Sequence, residues 1–229
     1  MRLFVMAACI CTSILACAGE PVVLFNGKDL SNWHTKAEPG KGTNKWTAGS
    51  PRLAADITKL DITGPEGAMV NLATKHGDSW DIYSKETFGS CRIELDVLVP
   101  KGSNSGIYVM GEYEVQVFDS FGQVKPGPGD MGAIYGASPP LVNASLKAGE
   151  WQHYTIEWQA PSFNAKGVKT RKAKFVKVEL NGILLHQNLE MKGPTPGGVT
   201  GKESPTGPLM FQGNHGAAAY RNITITPLP

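Results

Sequence analysis

The sequence predicts an all-β fold, a sandwich or jelly roll, on three observations. Short runs of alternating apolar and polar residues recur at close spacing, with turn residues between them. No stretch sustains the three-to-four-residue apolar period of a helix, apart from a short turn near Asp29. Glycine (27) and proline (16) are abundant, as a sheet protein with many turns requires. The 229 residues suit one large β domain, and no break in composition or internal repeat marks a second. A domain of this size buries enough surface to fold without disulfide staples. The formal net charge of +2 gives no strong pull toward nucleic acid, so no such partner is expected.

Taken in order, the chain opens with a targeting segment, residues 1–18. Arg2 is its charged head, and residues 3–16 form an apolar run too short to span a bilayer comfortably. Two exits compete. Ala16-Cys17-Ala18 fits a small-x-small cleavage site and leaves a chain from Gly19. Ile14-Leu15-Ala16-Cys17 resembles a bacterial lipobox, in which Cys17 is lipidated and anchors the protein to the outer membrane. Both exits predict export: periplasmic, secreted or membrane-anchored. Of the four cysteines only Cys91 lies in residues 19–229, so no intrachain disulfide is expected there. Its parity with Ile93, Leu95 and Val97 marks a buried thiol acting as a small hydrophobe.

Residues 22–25 read as a short strand ended by Asn26-Gly27, a pair that accepts the positive φ of a tight turn. Leu30 and Trp33 are expected under the sheet. Residues 45–47 and 51–53 suggest short strands about a turn, and 69–73 and 80–84 are weaker strands. Residues 91–99 alternate cleanly until Pro100 stops them. Residues 107–110 and 113–117 form a hairpin or two neighbouring strands. Ile107, Val109, Val115 and Val117 point one way. Tyr108, Met110, Glu114 and Gln116 point the other, an unusual set for a plain sheet surface. Residues 151–158 are a strand with Tyr154, Ile156 and Trp158 on one face. Residues 175–180 and 183–185 flank Asn181-Gly182 in the clearest hairpin. Residues 209–212 and 218–226 close the fold. The spans 34–45, 120–147 and 186–208 read as long loops, placed as a rim around a concave sheet. The run Lys166, Lys169, Arg171, Lys172, Lys174 and Lys177 reads as a solvated edge strand, or else as a contact for an acidic glycan.

Several words of the sequence, in order, resemble a known family. Leu24-Phe25-Asn26-Gly27-Lys28-Asp29-Leu30 with Trp33 is similar to the opening of the 3-keto-disaccharide hydrolase domain family. Asn104-Ser105-Gly106-Ile107-Tyr108, Tyr113-Glu114-Val115-Gln116, Gly132-Ala133-Ile134-Tyr135-Gly136, Gly149-Glu150-Trp151 and Leu180-Asn181-Gly182 follow. Gly207-Pro208-Leu209 with Gln212, His215-Gly216 and Arg221-Asn222-Ile223 complete the set. The resemblance implies a concanavalin A-like jelly-roll sandwich of two antiparallel sheets. It also implies action on glycosides oxidised at carbon 3, with a sugar 3-dehydrogenase upstream. Two words depart from the pattern: Met110 stands where the family often has Arg, and the family's Gln-Asp-His-Gly reads Gln212-Gly213-Asn214-His215-Gly216.

A ketone at sugar carbon 3 acidifies the proton on carbon 2, so a base can form the enolate and expel the glycosidic oxygen from carbon 1. That chemistry needs a base, a holder for the enolate and an acid near the leaving oxygen. His215 and Glu114 are the candidate base and acid, in either order. Tyr108, Gln116, Asp119, Tyr135, Gln212 and Arg221 are the candidate substrate-binding residues. Arg221 shares parity with Ile223 and Ile225, so a bulge is needed to free it from the core. Two other readings stand beside this one. Glu114-Val115-Gln116-Val117-Phe118-Asp119 is close to the Glu-x-Asp-x-x-Glu word of retaining β-glucanases, but positions 114 and 119 converge only if a bulge intervenes. The third reading is a carbohydrate-binding module, since the same sandwich hosts lectins and enzymes alike. His34, His76, His153 and His186 read as surface or satisfied loop histidines. No cluster has metal-ligand spacing and no cofactor fingerprint appears, so neither is expected.

Overall fold

The computed structural model describes residues 19–38 and 40–229. The expected leader, residues 1–18 with Cys17, lies outside the described residues. In chain order the strands are β1 (Val22–Val23), β2 (Trp33–Lys36), β3 (Trp46–Gly49), β4 (Pro51–Leu53), β5 (Leu60–Ile62), β6 (Ala68–Asn71), β7 (Asp81–Phe88) and β8 (Cys91–Leu98). They continue as β9 (Asn104–Val109), β10 (Tyr113–Phe118), β11 (Gln152–Gln159), β12 (Ser162–Phe163) and β13 (Lys169–Arg171). The last four are β14 (Lys174–Leu180), β15 (Ile183–Glu190), β16 (Gly207–Phe211) and β17 (Ala218–Pro227). The larger sheet runs β15-β14-β11-β8-β17-β6-β3, with β1 paired to β17, and the smaller runs β10-β9-β16-β7-β2. The all-β sandwich of two antiparallel sheets expected from the sequence is the fold observed.

Alternation builds the core between the sheets. Cys91, Ile93, Leu95 and Val97 of β8, and Tyr154, Ile156 and Trp158 of β11, are buried from the larger sheet. Ile107 and Val109 of β9, and Tyr113, Val115 and Val117 of β10, meet them from the smaller one. Each fully buried side chain of this size contributes about 1.5–3 kcal/mol. An aromatic column joins the sheets: the Phe211 ring stacks on Tyr220 at 3.9 Å and on Trp33 at 5.4 Å between centroids. Asn181 (φ 54°) and Gly182 (φ 76°) make the expected tight turn between β14 and β15.

The structure corrects the sequence reading at four places and supplies at a fifth the bulge that it required. Trp33–Lys36 is a strand on the edge of the smaller sheet, although the reading put a loop from residue 34. Residues 186–190 continue β15, and His186 is buried there with its Nε2 2.8 Å from the Gly132 carbonyl. Met110 does not share a face with Tyr108. It sits in the turn after β9 at φ 53°, and its side chain enters the core, where the Trp158 indole N–H approaches the sulfur at 2.9 Å. The lysine-rich run is an edge strand only in part: Lys169 and Arg171 lie on β13 of the two-stranded β12-β13 ribbon, but β14 lies inside β15, and its Lys177 is held between Glu157 and Glu179 at 3.3 Å each. Arg221 leaves the core through the register shift between Arg221 and Thr224, with Asn222 at φ 52°. The bulge turns it onto the outer face of the larger sheet.

Candidate functional site

The outer face of the smaller sheet collects the polar residues that β9 and β10 turn away from the core. Glu114 pairs with Tyr108 across the ladder, and Gln116 with Gly106. On the other flank of β9, the Gln212 N–H donates to the Gly106 carbonyl at 2.9 Å. Gln116, Gly106 and Gln212 therefore lie in one row across three chain segments, beside the row of Glu114 and Tyr108. Adjacent strands are about 4.8 Å apart, so the backbones that carry the two glutamines lie about 10 Å apart and their amides can converge over the strand between. That middle strand holds a glycine in this row, and a methyl group there would collide with the Glu114 carboxylate.

Two loops wall and roof this face. Residues 132–135 extend the sheet beyond β10: the Gln116 N–H donates to Ala133 O at 2.8 Å, and the Tyr135 N–H to Glu114 O at 3.1 Å. The segment after β15 crosses over the face. The Thr195 N–H donates to Glu112 O at 2.8 Å, and the Thr195 hydroxyl accepts from the Glu114 N–H at 2.9 Å. The Tyr108 hydroxyl donates to Pro196 O at 3.0 Å, and the Lys36 ammonium to Gly197 O at 2.7 Å. The buried Glu112 carboxylate anchors the far end by accepting from the N–H groups of Thr200 and Gly201 at 2.7 and 2.9 Å.

Under this roof lies a cavity of about 160 Å³. Tyr108, Glu114, Gln116, Tyr135, Gln212 and His215 all line it. Asn104 lines it too, accepting from the Gln116 amide at 2.9 Å; the sequence reading quoted Asn104 without giving it a role. Two candidates lie elsewhere. Asp119 follows β10 and accepts from the Gly102 N–H at 2.9 Å. Arg221 donates through Nε to Asp96 at 3.2 Å and lays its guanidinium 4.0 Å over the Trp151 ring. The ladder of β10 on β9 has no register shift from Tyr113 to Phe118. The bulge needed to bring Glu114 and Asp119 onto one side is therefore missing.

Glu114 and His215, two of the titratable groups in the cavity, are shifted in opposite directions. Burial pushes the Glu114 carboxyl up to about 7, against the pull of the neighbouring Tyr108 hydroxyl, and the charge of Asp81 adds to the rise. Asp81 is itself buried, 3.5 Å from the Lys36 ammonium, and accepts from the Gly213 N–H at 2.9 Å. Burial and the His76 ring push the His215 imidazole below its usual value, with Asp81 and Glu38 opposing. His215 Nδ1 lies against the Asn214 side-chain oxygen, which only accepts, so this contact is a hydrogen bond in the tautomer with the proton on Nδ1 and the lone pair on Nε2. The loop holding His215 needs glycine at both ends. A methyl at Gly213 would meet the Trp80 carbonyl, and one at Gly216 the Ser103 hydroxyl. The Asn71 amide clasps both ends, donating to Gly213 O and Gly216 O at 2.8 Å each. Gln212 offers its own signal: its Oε1 is buried without a hydrogen-bond partner among the described residues. An unmade bond of that kind costs about 1–3 kcal/mol and leaves an acceptor for a ligand hydroxyl.

Comparison with known proteins gives a consistent picture. The family model of the 3-keto-alpha-glucoside-1,2-lyase-like domain matches residues 20–226. Among solved structures, the chain is similar to a candidate glycosyl hydrolase from Parabacteroides distasonis ATCC 8503. They share 29% identity over 91% of this chain and 84% of that one, with a TM-score of 0.67. A second candidate glycosyl hydrolase of that organism has the same fold at 22% identity and a TM-score of 0.56, over 92% of this chain and 100% of that one. No curated protein matches the sequence.

Proposed function

We propose that this chain, which belongs to the 3-keto-alpha-glucoside-1,2-lyase-like family, cleaves the glycosidic bond of 3-keto-glycosides by elimination followed by hydration. The observation that carries the reading is the pairing in one cavity of a carboxyl raised to about 7 with a neutral imidazole. Groups pushed apart in this way divide into acid and base. The His215 Nε2 lone pair removes the proton from carbon 2, and the electron pair moves onto the carbon 3 oxygen as an enolate. Amide N–H groups of Gln116 and Gln212 hold that oxygen as its charge grows. The enolate collapses to a carbon 1–carbon 2 double bond and expels the glycosidic oxygen, which takes its proton from Glu114. Water then adds its oxygen to carbon 1 and a proton to carbon 2, which completes a net hydrolysis. Gln212 Oε1 accepts from a sugar hydroxyl, and the exposed Tyr135 ring offers an apolar face at the rim.

The proposal includes export through the leader and supply of the ketone by a sugar 3-dehydrogenase, since a plain glycoside lacks the acidic carbon 2 proton. The test is a matched substrate pair. A 3-keto-disaccharide is cleaved and its unoxidised parent is left intact. Cleavage of the parent at a similar rate contradicts the reading, and tight binding without turnover of either leaves a carbohydrate-binding module.

A further inference from the structure

The groove does not end at His215. On the other side of that ring lies a second cavity, about 350 Å³, for which His215 is a shared wall. The 73–75 and 101–103 segments and the Gly216-Ala217 backbone enclose it. Two cations line it, Lys75 and Lys101, and both are exposed. Among the described residues neither makes an ion pair, whereas Lys41, Lys45 and Lys59 each have a carboxylate within 3.0 Å. Two of the three carboxylates held on or next to the lining segments are paired with cations. Asp56 accepts from Thr58 and pairs with Lys59, and Asp78 pairs with Lys45 and accepts from Thr74, whereas Asp119 accepts from the Gly102 N–H at the rim and keeps its charge. The cavity therefore sets two lysine ammoniums against one carboxylate, with His215 in its wall.

We propose that this second cavity is a subsite for an anionic substituent of the glycan, a carboxylate or a sulfate ester. The inference rests on the reaction proposed above and names the side of the substrate it concerns. With His215 at carbon 2 and Glu114 at the leaving oxygen, the cavity beyond His215 receives the part of the glycan away from the leaving group. Lys75 and Lys101 attract that anion as point charges, while Ser103 and the Gly216 backbone form the floor. Such attraction between partly exposed charges is modest for each lysine and is screened by salt.

The experiment is direct binding to the full protein, which does not depend on turnover. Glucose, glucuronic acid and glucose 6-sulfate are titrated by calorimetry at low salt. The two anionic sugars are expected to bind at least 10-fold more tightly than glucose. The advantage falls at least fivefold in 0.5 M sodium chloride, and likewise in the Lys75→Ala/Lys101→Ala double variant, with thermal melting checked in parallel. Preference for one anion over the other identifies the substituent as carboxylate or sulfate. Equal binding of all three sugars, no binding by either anion, or an advantage that survives the double substitution overturns the subsite. Failure of the matched substrate pair described above would instead overturn the reaction, so the two ideas fail separately.

Discussion

Glu114 is almost wholly removed from water, and burial lifts its carboxyl from the ordinary 4.5 to about 7. A raised folded-state value means that the fold favours the protonated form. Its contribution to stability is complete below about pH 4.5 and is lost as pH rises through about 7. Glu114→Gln should therefore melt like the parent at pH 4 and be more stable by about 3 kcal/mol at pH 8, in denaturant titrations at the two pH values. The same substitution should lower kcat by about 10²–10⁴, because it removes the proton donor. Gaining stability while losing activity is the signature of a functional carboxyl; a variant less stable at pH 8 would mark Glu114 as structural. The pH profile follows from the opposite shifts. The proposed reaction needs His215 neutral and Glu114 protonated. kcat/KM should fall below the depressed His215 value, itself under the usual 6.5, and again above about 7. His215→Ala should remove the acid limb along with most of the rate. At this scale the sequence was legible wherever a strand ran regularly. Parity alone placed Tyr108, Glu114 and Gln116 on one face, because β9 and β10 pair without interruption. It failed at Met110, where the strand had already ended in a positive-φ turn, and at Arg221 the bulge that the parity argument required resets the count.

The hairpin and its roof act as a unit. Thr195 joins them through one hydroxyl, which accepts from the Glu114 N–H and donates to Glu112 O at 3.1 Å. Thr195→Val keeps the shape and leaves a buried N–H unpaired, which should cost about 1–3 kcal/mol of stability. Glu114 loses its tether, so kcat should fall as well, in parallel unfolding and kinetic measurements on the purified variant. Gly106→Ala tests the floor. Its added methyl meets the Glu114 carboxylate, and kcat/KM should fall at least 10-fold while the core strands keep their fold by circular dichroism. An unchanged rate in Gly106→Ala would mean that Glu114 does not work from its observed place. The roof itself could not be foreseen from the sequence. Its Pro/Gly-rich stretch has no period, and the bonds that fix it join residues more than eighty positions apart. The strand Trp33–Lys36 escaped for a related reason: it is four residues long and too polar in its second half to show alternation.

The whole molecule separates packing from chemistry by face. The space between the sheets holds the aromatic column and Cys91, whose thiol is pushed up to about 12 by burial. Cys91 should stay unreactive toward thiol reagents until the protein unfolds. The outer face of the larger sheet carries the Arg221–Asp96 pair and Trp151, away from the cavity. The outer face of the smaller sheet carries the candidate site, completed by His215 from the loop between β16 and β17. In the proposed reaction carbon 2 loses and regains a proton while the glycosidic bond is broken. Turnover of a 3-keto-disaccharide in deuterium oxide reads that step directly by mass spectrometry and NMR. Elimination and hydration predict one deuterium at carbon 2 of the released 3-keto sugar, whereas a product with deuterium only at exchangeable hydroxyls would contradict the account.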